Sequence, residues 1–158
     1  MLNFRLKNKR SLEISMARIK IEIPDKFIFR TEIPIRITDI NYGGHLGNDS
    51  LLSIIHEARM RFLRHLGYSE SNVEGSGIIM IDSAIQYKSE GFYGDVLVVE
   101  IAVNDFTGIG CDFVYRITNK NTSKEIALAK TGIVFFTYQK RKTAPVPPEF
   151  KMKIEELS

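Results

Sequence analysis

Residues 37–67 read ITDINYGGHLGNDSLLSIIHEARMRFLRHLG, and a change of pattern inside this stretch decides the fold. From Asp39 to Asn48 the chain holds three glycines and two asparagines without apolar periodicity, which predicts a loop. From Asp49 to Leu66 apolar side chains return at steps of three or four: Leu51, Ile55, Ala58, Phe62 and Leu66, with Ile54 widening the stripe. Ser53, Met60 and Arg64 fall on the opposite face, so the segment predicts an amphipathic helix. Asn48 or Asp49 is placed to cap its start and Gly67 to close its end. No other segment predicts a long helix.

Working outward, the flanks are strand-like. Ile19, Ile21 and Ile23 alternate with Lys20 and Glu22, and residues 27–38 form a second β-rich run. Beyond the helix, strands are predicted over 78–88, 95–104, 109–119 and 124–138. The connections SEGFYG, DFTG and NKNTS carry the Gly, Asn and Ser content of tight turns, so the four strands are expected to form an antiparallel meander. A curved sheet wrapped around one apolar helix, an α+β arrangement, is the economical packing. The prolines at 145, 147 and 148 predict that the sheet ends there and that the tail is extended or loose. The expected division is a basic N-terminal extension over 1–18, one domain over 19–140 and a tail over 141–158. Met16 is a candidate natural start, which would make residues 1–15 dispensable upstream sequence.

Composition narrows the function classes. The chain has 158 residues, 44% hydrophobic and 26% charged, which suits one globular domain with its own core. Its formal charge of +3 is local: residues 1–18 carry five basic side chains against Glu13, and the remainder is nearly neutral. A neutral body offers no phosphate-tracking face, so no nucleic-acid partner is expected. The single Cys111 lies in a strand pattern and reads as a small core residue, and the three histidines lack metal-ligand spacing. No metal is predicted. No window reaches about 18 apolar residues, so no membrane partner is expected and a cytoplasmic location is inferred.

The 37–67 stretch resembles the loop and helix of acyl-CoA thioesterases of the 4-hydroxybenzoyl-CoA thioesterase type. That family reads approximately D-x-D-x-x-G-H-V-N-N, followed by a helix ending E-A-R-x-x-F-L-x-x-L-G. The matching residues are Asp39, Gly44, His45, Asn48, Glu57, Ala58, Arg59, Phe62, Leu63, Leu66 and Gly67. A second match is YKSEGFYGDVLVVEI, residues 87–101, where Gly94 and Asp95 occupy the family's Gly-Asp opening of a strand. The resemblance implies the hotdog fold and a thioester hydrolase that needs no cofactor. It also implies an acyl-CoA substrate and a homodimer or homotetramer joined through sheet edges.

One departure bears on mechanism. The family's catalytic aspartate, the second acid of D-x-D, is replaced here by Asn41, and an amide is neither nucleophile nor general base. Thioester hydrolysis needs a clamp for the carbonyl oxygen and an activated water or nucleophile. The resemblance assigns the clamp to the helix N-terminus near Asn48, where backbone amides stand unpaired at the positive end of the helix dipole. Gly44 and Tyr42 are expected beside it as substrate-binding positions. Asp49 at the helix mouth and Glu57 two turns on are the candidate carboxylates, with His45 and Asn41 as polar partners. The competing roles are a helix cap for Asp49 and an ion pair with Arg61 for Glu57. Two alternatives stand beside the hydrolase. DINYGGH resembles the hydratase loop D-x-N-x-x-H with one extra residue, and loss of the aspartate would also suit a non-catalytic acyl-CoA binding module.

Overall fold

The computed structural model describes residues 18–158. The predicted extension and the Met16 start fall largely on residues 1–17, outside the described residues. In chain order the elements are β1 (Phe29–Pro34), a 3-10 turn (Ile37–Asp39), α1 (Asn48–His65), β2 (Gly77–Tyr87) and β3 (Val96–Asn104). Then come β4 (Gly110–Asn119), β5 (Glu125–Thr137), β6 (Lys142–Thr143) and α2 (Pro148–Leu157). All strand pairings are antiparallel, in the order β1-β3-β4-β5-β2, with β6 on β5. The architecture is an α+β hotdog, a sheet curved around α1.

The stripe read from the sequence is the face that α1 buries. Leu51, Ile54, Ile55, Ala58, Phe62 and Leu63 pack against Leu97, Val99 and Ile101 of β3, Phe113 and Tyr115 of β4, and Ala127 and Ala129 of β5. Alternate strand residues supply that surface because successive side chains point to opposite faces. Gly67, at φ +84°, ends the helix in a Schellman motif: Tyr68 N donates to Leu63 O at 2.8 Å and Gly67 N to Arg64 O at 2.9 Å. At the other end Gly47, not Asn48 or Asp49, is the N-cap, and no side chain among the described residues caps the helix.

Arg59 is buried on the same side of α1, and its Nε donates to Glu70 Oε1 at 2.8 Å. His56 Nε2 lies 2.9 Å from the other oxygen of Glu70. Burial alone would raise the Glu70 carboxyl, but hydrogen bonds from Arg59 and His56 outweigh it and hold the group below its ordinary value. The arginine of the E-A-R segment thus ties the helix to the loop that follows it.

Three expectations are corrected. The four strands after α1 do not form a meander, because β2 pairs with β5 and the chain from Lys88 to Asp95 crosses the sheet to reach β3. This crossing is anchored on the helix loop, where Leu46 N donates to Gly91 O at 2.8 Å and Ile35 N to Asp95 O at 2.8 Å. The 19–23 alternation forms no strand. Ile21 shares a crevice with Ala84 and Val114 on the outer face of the sheet, and the Arg116 guanidinium sits 4.5 Å from the Phe27 ring centroid. The segment lies across a face rather than along an edge, so its alternation reflects half-burial without a ladder.

The tail is not extended. Pro147 and Pro148 start α2 rather than break it, since a proline in the first turn lacks only an N–H that has no helical partner. Phe150 and Ile154, one turn apart, are each 1% exposed, and the Phe150 ring lies 5.4 Å from that of Phe135. Lys153 Nζ donates to Leu66 O and so joins α2 to the end of α1. Phe150→Ala is expected to lower unfolding stability by about 3–5 kcal/mol, the range for a large buried aromatic. Denaturant titration checks this; a loss within about 0.5 kcal/mol would mean that the tail is not part of the core.

Candidate functional site

The site begins with a turn that a buried carboxylate holds. Asp39 is 3% exposed; its Oδ2 accepts from Arg36 N at 2.8 Å and from Arg36 Nε at 3.2 Å, and its Oδ1 from Arg36 Nη2 at 3.0 Å. Burial would raise the Asp39 carboxyl, but the Arg36 hydrogen bonds and charge outweigh it and hold the group below the usual carboxylate range. The Asp39 backbone carbonyl then accepts from Gly47 N at 2.9 Å, which fixes the residue from which α1 springs.

Between these anchors the loop folds on itself. Asn41 N donates to His45 O at 2.9 Å, Gly44 N to Asn41 O at 3.0 Å, and Gly44 turns the chain at φ +82°. Asn41 Oδ1 accepts from Gly43 N at 2.9 Å, with His45 N at 3.5 Å, so the carboxamide oxygen is committed to the loop's own amides. His45 Nδ1 lies 3.3 Å from Leu46 O. Since a carbonyl only accepts, Nδ1 carries the proton in that contact, and the neutral ring leaves Nε2 as an acceptor.

A cavity of about 430 Å³ opens where this loop meets the β2–β3 crossing. One wall is Asn41, His45, Leu46, Gly47, Asn48 and Leu51; the other is the run from Tyr87 to Gly91, with Ile126. Its size suits a small ligand or one arm of a larger one. The first intrahelical bond of α1 runs from Leu51 N to Gly47 O, so the Asn48, Asp49 and Ser50 amides have no helical carbonyl to meet. With no side-chain cap, they form a donor cluster at the positive end of the helix dipole beside the cavity.

The structure brings some of the sequence candidates together and separates others. Asn41, His45 and Asn48 line the cavity. Asp49 is exposed at its mouth, next to Gly47, and its charge adds to burial in raising the Tyr87 hydroxyl. Gly44 and Tyr42 lie on the exposed side of the loop, outside the lining. Glu57 faces a different crevice, with Arg36, Met60 and Ile33. Its Oε1 accepts from Arg61 Nε at 2.7 Å, and Arg61 also reaches Thr31 Oγ1 and Glu32 O of β1. Cys111 sits in the core, its thiol pushed up to about 12 by burial and, secondarily, by the Asp112 charge.

Tyr87, Lys88, Ser89 and Glu90 fall in the second matched stretch, but nothing in the sequence marks them individually as site residues. Read as a tight turn, SEGFYG gave no reason to meet the helix loop. The signal that could have found it is a crossing segment rich in polar residues immediately before the Gly-Asp strand start.

The comparisons agree with this fold. Residues 35–154 match the model of the thioesterase-like superfamily. YneP of Bacillus subtilis, named provisionally as an acyl-CoA thioesterase, is 27% identical over 127 residues, covering 75% of this chain and 91% of its own. Among solved structures, the fold is similar to that of Slr0204, a 1,4-dihydroxy-2-naphthoyl-CoA thioesterase from Synechocystis. The TM-score is 0.74 at 23% identity, over 82% of this chain and 96% of that one. It is also similar to SAV2348 of Staphylococcus aureus, solved in complex with CoA, with a TM-score of 0.74 at 15% identity over 87% of each chain. With the loop, the long helix and strands β2 to β6 inside the matched range, the chain belongs to the thioesterase-like superfamily.

Proposed function

We propose that the protein hydrolyses an acyl-CoA thioester, with the thioester carbonyl at the cavity beside the α1 N-terminus. The observation that carries this reading is the uncapped first turn. Three backbone amides without helical partners stand at the end of an 18-residue helix, beside a cavity whose mainly apolar wall, with Leu46, Leu51 and Ile126, carries a few polar groups such as His45, Ser89 and Glu90. Superfamily membership supplies the reaction class, and the CoA complex of the Staphylococcus aureus neighbour supports coenzyme A as the carrier. A water activated by a carboxylate completes the reaction, so the chemistry calls for no cofactor. Asn41 sustains a second reading, a module that binds acyl-CoA without turnover, because its oxygen is already engaged by Gly43 N.

The same reading includes a homodimer. Among the described residues β2 ends the strand order with one edge unpaired, and Met80 and Ile81 on it are 47% and 61% exposed. A second copy pairing along β2 would satisfy that edge. Sedimentation at micromolar concentration is expected to give twice the 18.1 kDa chain mass, and a monomer would contradict the assembly.

Asn48→Pro tests the oxyanion site. Gly47 has φ −70° and ψ 146°, the extended backbone that a following proline requires, and proline is favoured at the first helical position. The variant is expected to fold, to bind acyl-CoA and to lose about 10²- to 10³-fold in kcat, the usual cost of removing one such donor. Wild-type turnover of aryl and straight-chain acyl-CoA esters is measured beside it, with binding followed directly. Binding without turnover by the wild type would replace the enzyme by the binding module, and full activity in the variant would move the carbonyl elsewhere.

A further inference from the structure

We infer that Glu90, paired with His45, is the general base of this site, in the role that Asn41 cannot fill. The inference rests on the thioester-hydrolase reading above and decides which carboxylate serves it. Of the residues lining the cavity, Glu90 is the single carboxylate. Asp49 lies outside the lining, and Glu57 is held by Arg61 in another crevice.

The pair has the geometry to hold one water. Glu90 Oε1 lies 3.8 Å from His45 Nε2. That is too long for a direct hydrogen bond, yet a water at about 2.8 Å from both atoms fits between them. With His45 Nδ1 turned to Leu46 O, Nε2 is an acceptor in the neutral ring, and the carboxylate is an acceptor as well. Such a water gives one hydrogen to each and keeps its lone pairs for attack. Gly43 makes room for the ring: a Cβ there would lie 3.1 Å from Nε2 and 3.2 Å from Asn41 Oδ1. The Glu90 side chain is 64% exposed, and among the described residues its one polar contact is with His45, so its carboxylate carries no evident structural duty there.

The step balances without a further reactant. The water oxygen forms a bond to the thioester carbon and the C=O π pair moves to the oxygen held by the first-turn amides. One water proton passes to Glu90. Collapse of the tetrahedral intermediate restores the C=O and breaks the C–S bond, whose electron pair leaves with sulfur. The thiolate takes the proton back from Glu90, and the acid formed releases its own proton to solvent.

Glu90→Gln is expected to lower kcat by about 10²- to 10⁴-fold, with acyl-CoA binding within about twofold of wild type. Glu90→Ala should regain part of its turnover in added formate, a small carboxylate that occupies the vacated space; a merely structural glutamate would show no such rescue. A Glu90→Gln, His45→Gln double variant should be little slower than either single one, because both groups hold the same water. Glu90→Gln with turnover within about fivefold of an active wild type overturns the assignment. So does loss of turnover in Asp49→Asn while Glu90→Gln stays active. A wild type that binds without hydrolysing removes the reaction, and with it the base.

Discussion

The Arg36–Asp39 pair is the constraint on which the site depends. One buried carboxylate accepts three hydrogen bonds from a single arginine residue, and the backbone carbonyl of the same aspartate holds the N-cap of α1. The start of the helix is therefore fixed relative to the end of β1 before any ligand is present. The neighbouring bond from Leu46 N to Gly91 O fixes the β2–β3 crossing against the same loop. Between them, these two anchors set the width of the cavity. Since no side chain among the described residues caps the first turn, its amides stay free at the positive end of the helix dipole.

The long helix was legible because its burial follows one helical period, and four of the strands because β-rich runs are bounded by turn residues. The helix stripe meets one curved surface, and the expected strand bounds agree with the observed ones to within a residue. Pairing order was not legible, because it depends on which edges are free when the sheet closes. Residues 88–95 have turn composition whether they make a hairpin or a crossing. The same ambiguity hid Glu90, since nothing local distinguishes a glutamate in a turn from one that a crossing brings over a helix mouth. In the tail, Phe150, Ile154 and Leu157 carry a helical spacing, but prolines ahead of a segment can end one element or start the next, and Pro147 and Pro148 start α2.

The E-A-R segment shows how a matched motif can divide between structure and site. Arg59 turns into the protein and pairs with Glu70, while Glu57 joins Arg61 in bracing α1 against β1. Both residues serve the placement of the helix, and the cavity lies two turns away at its N-terminus. The amide at position 41 also has a positive role, closing the loop through Gly43 N. In the account proposed here, closing the loop and activating water are separated, the first at Asn41 and the second across the cavity on the β2–β3 crossing.

The most direct test of that account is a crystal structure with a non-hydrolysable acyl-CoA analogue in which a methylene separates sulfur from the carbonyl. The carbonyl oxygen should lie about 3 Å from amides of the first turn of α1, with Glu90 and His45 facing the carbonyl carbon across a single water. An analogue whose carbonyl lies in the crevice beside Glu57, leaving the α1 N-terminus to solvent, would contradict it.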